Sequence, residues 1–128
     1  MKKSDKKSVM IIEDDEVLIE MYKEKLKNSG FRALTVKDSK MAMQRIRMGA
    51  DLILLDLLMP NINGFEVLKR IKSDAETKDI PVIVLTNIGS ESLDNDRKLA
   101  MSLGATDYMI KSLNTPDSVI ARIREILS

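Results

Sequence analysis

Three runs of this chain, Val9–Ile12, Leu52–Leu55 and Val82–Leu85, are apolar without interruption, and acids or a hydroxyl end each of them abruptly. A half-exposed strand would alternate, so unbroken runs of this length mark strands buried on both faces, as in a parallel sheet covered by helices. Amphipathic stretches fill the gaps. After the first run, Leu18, Met21, Tyr22 and Leu26 form one stripe, Lys23, Glu24, Lys25 and Lys27 lie opposite, and Gly30 supplies the stop. Phe31–Val36 reads as a second strand, and Asp38 is placed to cap a helix carrying Met41, Met43, Ile46 and Met48 up to Gly49. After Pro60, Asn61 and Asn63-Gly64, a third helix runs through Phe65, Val67, Leu68 and Ile71, with Asn63 and Glu66 spaced as a capping-box variant. Ser90–Leu103 is a more polar helix and Thr106–Ile110 a fifth strand. Thr115-Pro116 opens a last helix with Val119, Ile120, Ile123 and Leu127.

Five strand–helix units in 128 residues are too few for a closed eight-unit barrel. The expected architecture is an α/β, open, doubly wound five-stranded parallel sheet with right-handed crossovers and a ligand crevice at the carboxyl ends of the strands. Four lysines in the first seven positions cannot pack, so residues 1–7 read as a mobile basic tail and 8–128 as one domain.

The chemistry is bounded by what is missing. With no Cys and no His, disulfide scaffolds, zinc or haem ligation by those residues and His-based triads are excluded. Lys and Arg number 21 against 20 Asp and Glu, which disfavours a nucleic-acid binder built on global charge. Aromatics at 3% disfavour a base-stacking surface. No apolar run reaches membrane-spanning length, and a cytoplasmic protein with no membrane insertion is the expectation.

What remains is carboxylates, hydroxyls and lysines, and these fall at one edge. Glu13-Asp14-Asp15 ends the first strand, Asp56 the third, Thr86 the fourth and Lys111 the fifth. Singly, an Asp after a strand is commonly a helix cap and a Lys there is commonly solvated. Together they deliver acids, a hydroxyl and an ammonium to a single rim. Crowded carboxylates repel unless a cation neutralises them, and an open all-oxygen site with no EF-hand loop suits Mg²⁺. A divalent ion, an ammonium and a hydroxyl can cradle phosphoryl oxygens, and a carboxylate oxygen can be the nucleophile. These residues alone point to Mg²⁺-assisted phosphoryl transfer onto Asp56.

The acids after Ile11-Ile12, the segment Leu52-Ile53-Leu54-Leu55-Asp56-Leu57-Leu58-Met59-Pro60 with Gly64, Thr86, and Gly104-Ala105-Thr106-Asp107-Tyr108 leading to Lys111 resemble a known family. Over nearly its whole length the chain is similar to the receiver domain of bacterial two-component response regulators, of the chemotaxis-regulator kind. The resemblance implies a flavodoxin-like sheet of order 2-1-3-4-5. It implies Asp56 as acceptor of phosphate from the phosphohistidine of a histidine kinase or histidine phosphotransfer protein. It also implies Asp14 as a direct Mg²⁺ ligand, Glu13 as one acting through water, Asp56 and the Leu58 backbone carbonyl completing the set, and Asp15 as a helix cap. Thr86 and Lys111 would contact the phosphoryl oxygens. Tyr108 would be the switch aromatic, signalling through the face of helix four, strand five and helix five to an effector that the sequence does not name.

Two departures from the family pattern, and the residues at its two variable positions, carry expectations. Asn87 stands where a small residue is usual, which narrows access or adds a hydrogen bond to the phosphate. Ser112 replaces the Pro of a cis linkage after Lys111; the bond is then either trans or a cis form costing about 2.5–4 kcal/mol. Apolar Leu58 and Ile88 flank the site and orient an attacking water poorly, which predicts a long-lived phosphoryl group. Helix one is more apolar than one stripe needs, through burial or as a docking face for a kinase helical hairpin, burial being favoured. The polar helix four suits weak exchange of partners. Two other readings compete: a pseudo-receiver that binds partners without phosphorylation, and an Asp-nucleophile, Mg²⁺-dependent phosphatase, which would need a second Asp where Leu58 stands.

Overall fold

In the computed structural model, residues 6–59, 62–87 and 93–128 are described. In chain order they form β1 (Ser8–Ile12), α1 (Glu16–Asn28), β2 (Arg32–Val36), α2 (Ser39–Arg47), β3 (Leu52–Leu55), β4 (Leu58–Met59), β5 (Ile62–Asn63), α3 (Gly64–Ser73), β6 (Val82–Thr86), α4 (Leu93–Ser102), β7 (Asp107–Ile110) and α5 (Pro116–Leu127). The long strands make one parallel sheet in the order β2-β1-β3-β6-β7, which is 2-1-3-4-5 when those five alone are numbered. Residues 1–5 of the expected tail and residues 88–92, including Ile88, lie outside the described residues. Lys6 and Lys7 are exposed, and the Lys7 carbonyl accepts the Arg32 N–H at 2.8 Å.

Strand alternation sorts the core into two layers. Met10, Ile12, Ile53, Leu55, Val82 and Val84 pack under α2 and α3, meeting Ala42, Ile46, Val67, Leu68 and Ile71. Val9, Ile11, Leu52, Leu54, Ile83 and Leu85 pack under α1 and α5, meeting Tyr22, Leu26, Val119, Ile120 and Ile123. Fully buried aliphatic side chains contribute about 1.5–3 kcal/mol each, so the central strands anchor the molecule.

The helix ends follow local chemistry. Asp15 caps α1, its carboxylate accepting the N–H groups of Val17 and Leu18. Asn63 does the same for α3 towards Phe65 and Glu66, and Thr115 for α5 towards Ser118. Gly30, at φ 90°, leaves α1 in the left-handed region that a side chain would strain. On α1 the apolar residues Ile19, Tyr22 and Leu26 are buried and Leu18 and Met21 half-buried, while Val17 is exposed, so burial accounts for most of the helix's extra apolar residues and not for Val17. The β4–β5 hairpin has no counterpart in the sequence reading, since two residues a side are too few to show a period.

One buried polar residue ties the α3–β6 connection. Thr77 is fully buried and its hydroxyl donates to the Ile71 carbonyl at 2.6 Å, satisfying an acceptor that the end of α3 would otherwise leave open. Replacing it with valine removes that bond and leaves the carbonyl unpaired. The expected cost is about 1 kcal/mol, read as a lower urea midpoint at unchanged slope.

Candidate functional site

The carboxyl ends of β1 and β3 adjoin where the chain order reverses across the sheet, the point at which such sheets open a crevice. Ile12 pairs with Leu55 in register, which sets Glu13 beside Asp56, and the Asp56 N–H donates to the Ile12 carbonyl at 3.1 Å. Alternation turns Glu13 and Asp56 to the α1/α5 face. Lys111, just beyond β7, reaches the same place: its ammonium donates to Glu13 Oε1 at 2.7 Å and to Asp56 Oδ2 at 3.4 Å. The other Glu13 oxygen accepts the N–H groups of Asp14 and Asp15. Glu13 and Asp56 are buried while Asp14 is exposed, so the cluster opens to solvent on one side.

Burial pushes the Glu13 carboxyl above its ordinary range, and hydrogen bonding to Asp56 adds to this; the Lys111 ammonium opposes it. For Lys111, burial pulls downward but the carboxylates of Glu13 and Asp56 outweigh it, and the ammonium is held above its usual value. Each partner thus keeps the other charged. Glu13, Asp14 and Asp56 each offer an oxygen within 4.8 Å of the others. Three carboxylates against one ammonium leave the cluster negative. An all-oxygen set with an open face fits a hard divalent cation that retains waters, so the residues suit Mg²⁺.

Thr86 ends β6, fully buried, with its side chain turned by alternation to the opposite face. Its carbonyl accepts the Lys111 N–H at 2.8 Å. Tyr108 lies on that face too, buried in the core, and its hydroxyl has no hydrogen-bond partner among the described residues. Leu58 opens β4 two residues after Asp56. The Lys111–Ser112 bond is trans, so Ser112 keeps the ordinary geometry. Asn87 is exposed. Two residues near the site carry more than their sequence signal. Gly64 meets the backbone after β3 so closely that a Cβ would lie 2.9 Å from the Asp56 carbonyl. Tyr22, read as one member of a core stripe, lies near Glu13, and burial followed by that charge pushes its hydroxyl up to about 12.

A family model described as the response regulator receiver domain matches residues 9–124. The chain belongs to that receiver family. The transcriptional regulatory protein CpxR of Klebsiella pneumoniae is 40% identical over 119 residues, covering 93% of this receiver and 48% of CpxR. The sensory transduction protein RegX3 of Mycobacterium tuberculosis is 37% identical over 121 residues, covering 94% of this receiver and 50% of RegX3. The receiver therefore spans about half the length of these curated relatives. Among solved structures, the phosphorylated cyanobacterial phytochrome response regulator RcpA is 33% identical with a TM-score of 0.81, covering 95% of this chain and 94% of its own. Among the described residues, no helix of this receiver is long and apolar enough to cross a membrane.

Proposed function

We propose that residues 8–128 act as one receiver unit in two-component signalling, switched by phosphorylation of Asp56 and working in the cytoplasm. The observation that carries this reading is the meeting of Asp56 with Lys111 and with the Glu13–Asp14 pair at one solvent-open rim. A histidine kinase or histidine phosphotransfer protein supplies the phosphoryl group. An Asp56 carboxylate oxygen forms the new P–O bond as the P–N bond to the donor's imidazole breaks. Mg²⁺, when bound, draws charge from the phosphoryl oxygens. Asp14 and Asp56 would hold it directly, with the Leu58 carbonyl as a further ligand and Glu13 acting through water.

Lys111 leaves its contacts with Glu13 and Asp56 to take a phosphoryl oxygen, and Thr86 offers its hydroxyl to another. Drawing Thr86 towards the phosphate opens room beside Tyr108. The turn of that ring reshapes the surface of α4, β7 and α5 for an effector protein. The domain catalyses only its own phosphorylation and dephosphorylation. Leu58, two residues after Asp56 in the sequence, and Ile88, two after Thr86, are apolar, which favours a long-lived phosphoryl group. RcpA, a relative of the same fold, is known in a phosphorylated form, which supports the reading. The pseudo-receiver alternative is disfavoured because the acids and the lysine are all present and grouped. The phosphatase alternative lacks its second acid at Leu58.

Incubation with Mg²⁺ and acetyl phosphate, followed by intact mass measurement, tests the chemistry. The wild type gains one phosphoryl mass, while Asp56→Ala and the wild type in excess chelator gain none. A wild type that stays unmodified, or an Asp56→Ala variant that gains the same mass, rules the reading out.

A further inference from the structure

β2 is an edge of the sheet and pairs with β1 alone. The two ends of β2 show which of its backbone groups that pairing uses. The Arg32 N–H donates to the Lys7 carbonyl at 2.8 Å, and the Val36 carbonyl accepts the Glu13 N–H at 3.3 Å. Successive residues of a strand turn their N–H and C=O groups to opposite sides, so Arg32, Leu34 and Val36 face β1. Ala33 and Thr35 then present two donors and two acceptors to the open side. An edge of this kind is a template for a further strand unless it is blunted, and β2 has no proline, no bulge in its register and no charge after Arg32. Along the edge an open trough of about 700 Å³ reaches from α1 round to α2. Its apolar floor includes Leu34, Met41 and Met48, which are 36%, 41% and 83% exposed. Lys23, Arg32 and Arg45 also line it, and no acid does. Lys23 is 3.8 Å from the exposed Glu20, while Arg32 and Arg45 form no ion pair with any described residue.

We propose that the β2 edge and this trough are a docking site for an extended acidic segment of a partner protein, which adds a strand to the sheet. The segment's backbone closes on Ala33 and Thr35, its apolar side chains lie on Leu34, Met41 and Met48, and its carboxylates meet Lys23, Arg32 and Arg45. Charge complementarity selects the occupant. Cations alone could serve to keep edges apart, but that role needs no apolar floor, whereas exposed methionines, unbranched and adaptable, suit a surface that moulds to a ligand. A second copy of this chain fits poorly, because it brings the same three cations and no acid to the trough, and like charges brought together oppose association. The five residues of β2, at about 3.3 Å each, make an edge about 17 Å long, so the docked stretch is of similar length. The trough also takes in Ser8, which begins β1, and Gly49, which precedes β3. It therefore lies towards the amino ends of the strands, away from the acid rim at their carboxyl ends, and docking there does not depend on the phosphoryl chemistry.

The probe is a short capped peptide of alternating glutamate and valine, titrated into the isotope-labelled chain and followed by nuclear magnetic resonance. Hydrogen exchange at the Ala33 and Thr35 amides, whose N–H groups face the open edge, is expected to slow about tenfold when the peptide is bound. Two control peptides separate the contributions without any variant: the lysine–valine counterpart reverses the charge, and the glutamate–valine peptide N-methylated throughout has no backbone donors. Neither is expected to bind. In the double variant Arg32→Glu with Arg45→Glu, both exposed positions, affinity for the glutamate peptide is expected to fall about tenfold, and raising the salt weakens the wild type in the same direction. Absence of binding, equal binding of the lysine or the methylated peptide, or unchanged exchange at Ala33 and Thr35 overturns the inference. A chain that sediments as a dimer with those two amides already protected overturns it in favour of a second copy.

Discussion

Replacing Gly64 with alanine lowers the stability of the fold by about 3 kcal/mol and removes most of the phosphoryl acceptance at Asp56. A Cβ on this residue would stand 2.5 Å from Leu57 Cα, 2.9 Å from the Asp56 carbonyl oxygen and 3.0 Å from Leu57 Cδ2. Two of these three neighbours are backbone, and β3 just before them is held on one side by β1 and on the other by β6. The strand cannot retreat, so the first turn of α3 must lift, and Val67 and Leu68 leave the core with it. Otherwise the Asp56 peptide swings out of the site. Two smaller effects oppose each other. Alanine favours the helix by up to about 1 kcal/mol over glycine. Overpacking typically costs about 1–3 kcal/mol, and a clash with fixed backbone belongs at the upper end. The steric term wins. Urea unfolding and the intact-mass assay read the two consequences together; a variant as stable and as readily phosphorylated as the wild type shows that α3 does not press on this segment.

Gly64 also shows where the sequence stops being informative. In the sequence it belongs to an Asn-Gly pair, which signals a turn, and nothing local says that the backbone of Asp56 and Leu57, just after β3, lies against it. The same limit hides the β4–β5 hairpin, whose four paired residues carry no periodicity, and a small cavity beside Tyr22, whose polar residues come from α1 and from the loops after β1 and β3. The central strands were legible because parallel strands covered on both faces have no polar positions to spare. Val9–Ile12, Leu52–Leu55 and Val82–Leu85 each lie within the strands observed. The grouping of Glu13, Asp14, Asp56 and Lys111 was legible for a topological reason: parallel strands share one carboxyl edge, so any residue that ends one of them lies near the residues that end its neighbours. What topology could not supply was the pairing inside the group. Lys111 is nearer to Glu13 than to Asp56, and side-chain reach and burial decide that, not strand order.

That pairing sets the second large effect. In Lys111→Met, at pH 8 and without metal, stability falls by about 3 kcal/mol, because two buried carboxylates lose their counter-charge. At pH 5 the loss is much smaller. Glu13 already binds its proton more readily in the folded chain than its ordinary value of 4.5 allows, and removing the ammonium that opposes this raises it further. A group with a raised carboxyl pKa favours the folded state at low pH, and that contribution drains away as pH rises from 4.5 through the folded value. The variant therefore loses stability with rising pH more steeply and over a wider span than the wild type. Lys111 in the wild type behaves as a raised ammonium does: its contribution is complete below 10.5 and disappears as pH climbs through the higher folded value. Thermal melts of both proteins between pH 5 and 8 check the difference, and parallel profiles would show that the lysine and the acids are not coupled. Mg²⁺ then divides the two roles of the ammonium. A divalent ion can replace it as counter-charge, and at 100 times its dissociation constant it returns about 2.7 kcal/mol to the variant. On the proposed mechanism Lys111 also donates to a phosphoryl oxygen, which the ion does not replace, so the rate of phosphorylation is expected to stay about a hundredfold down even when the fold is restored.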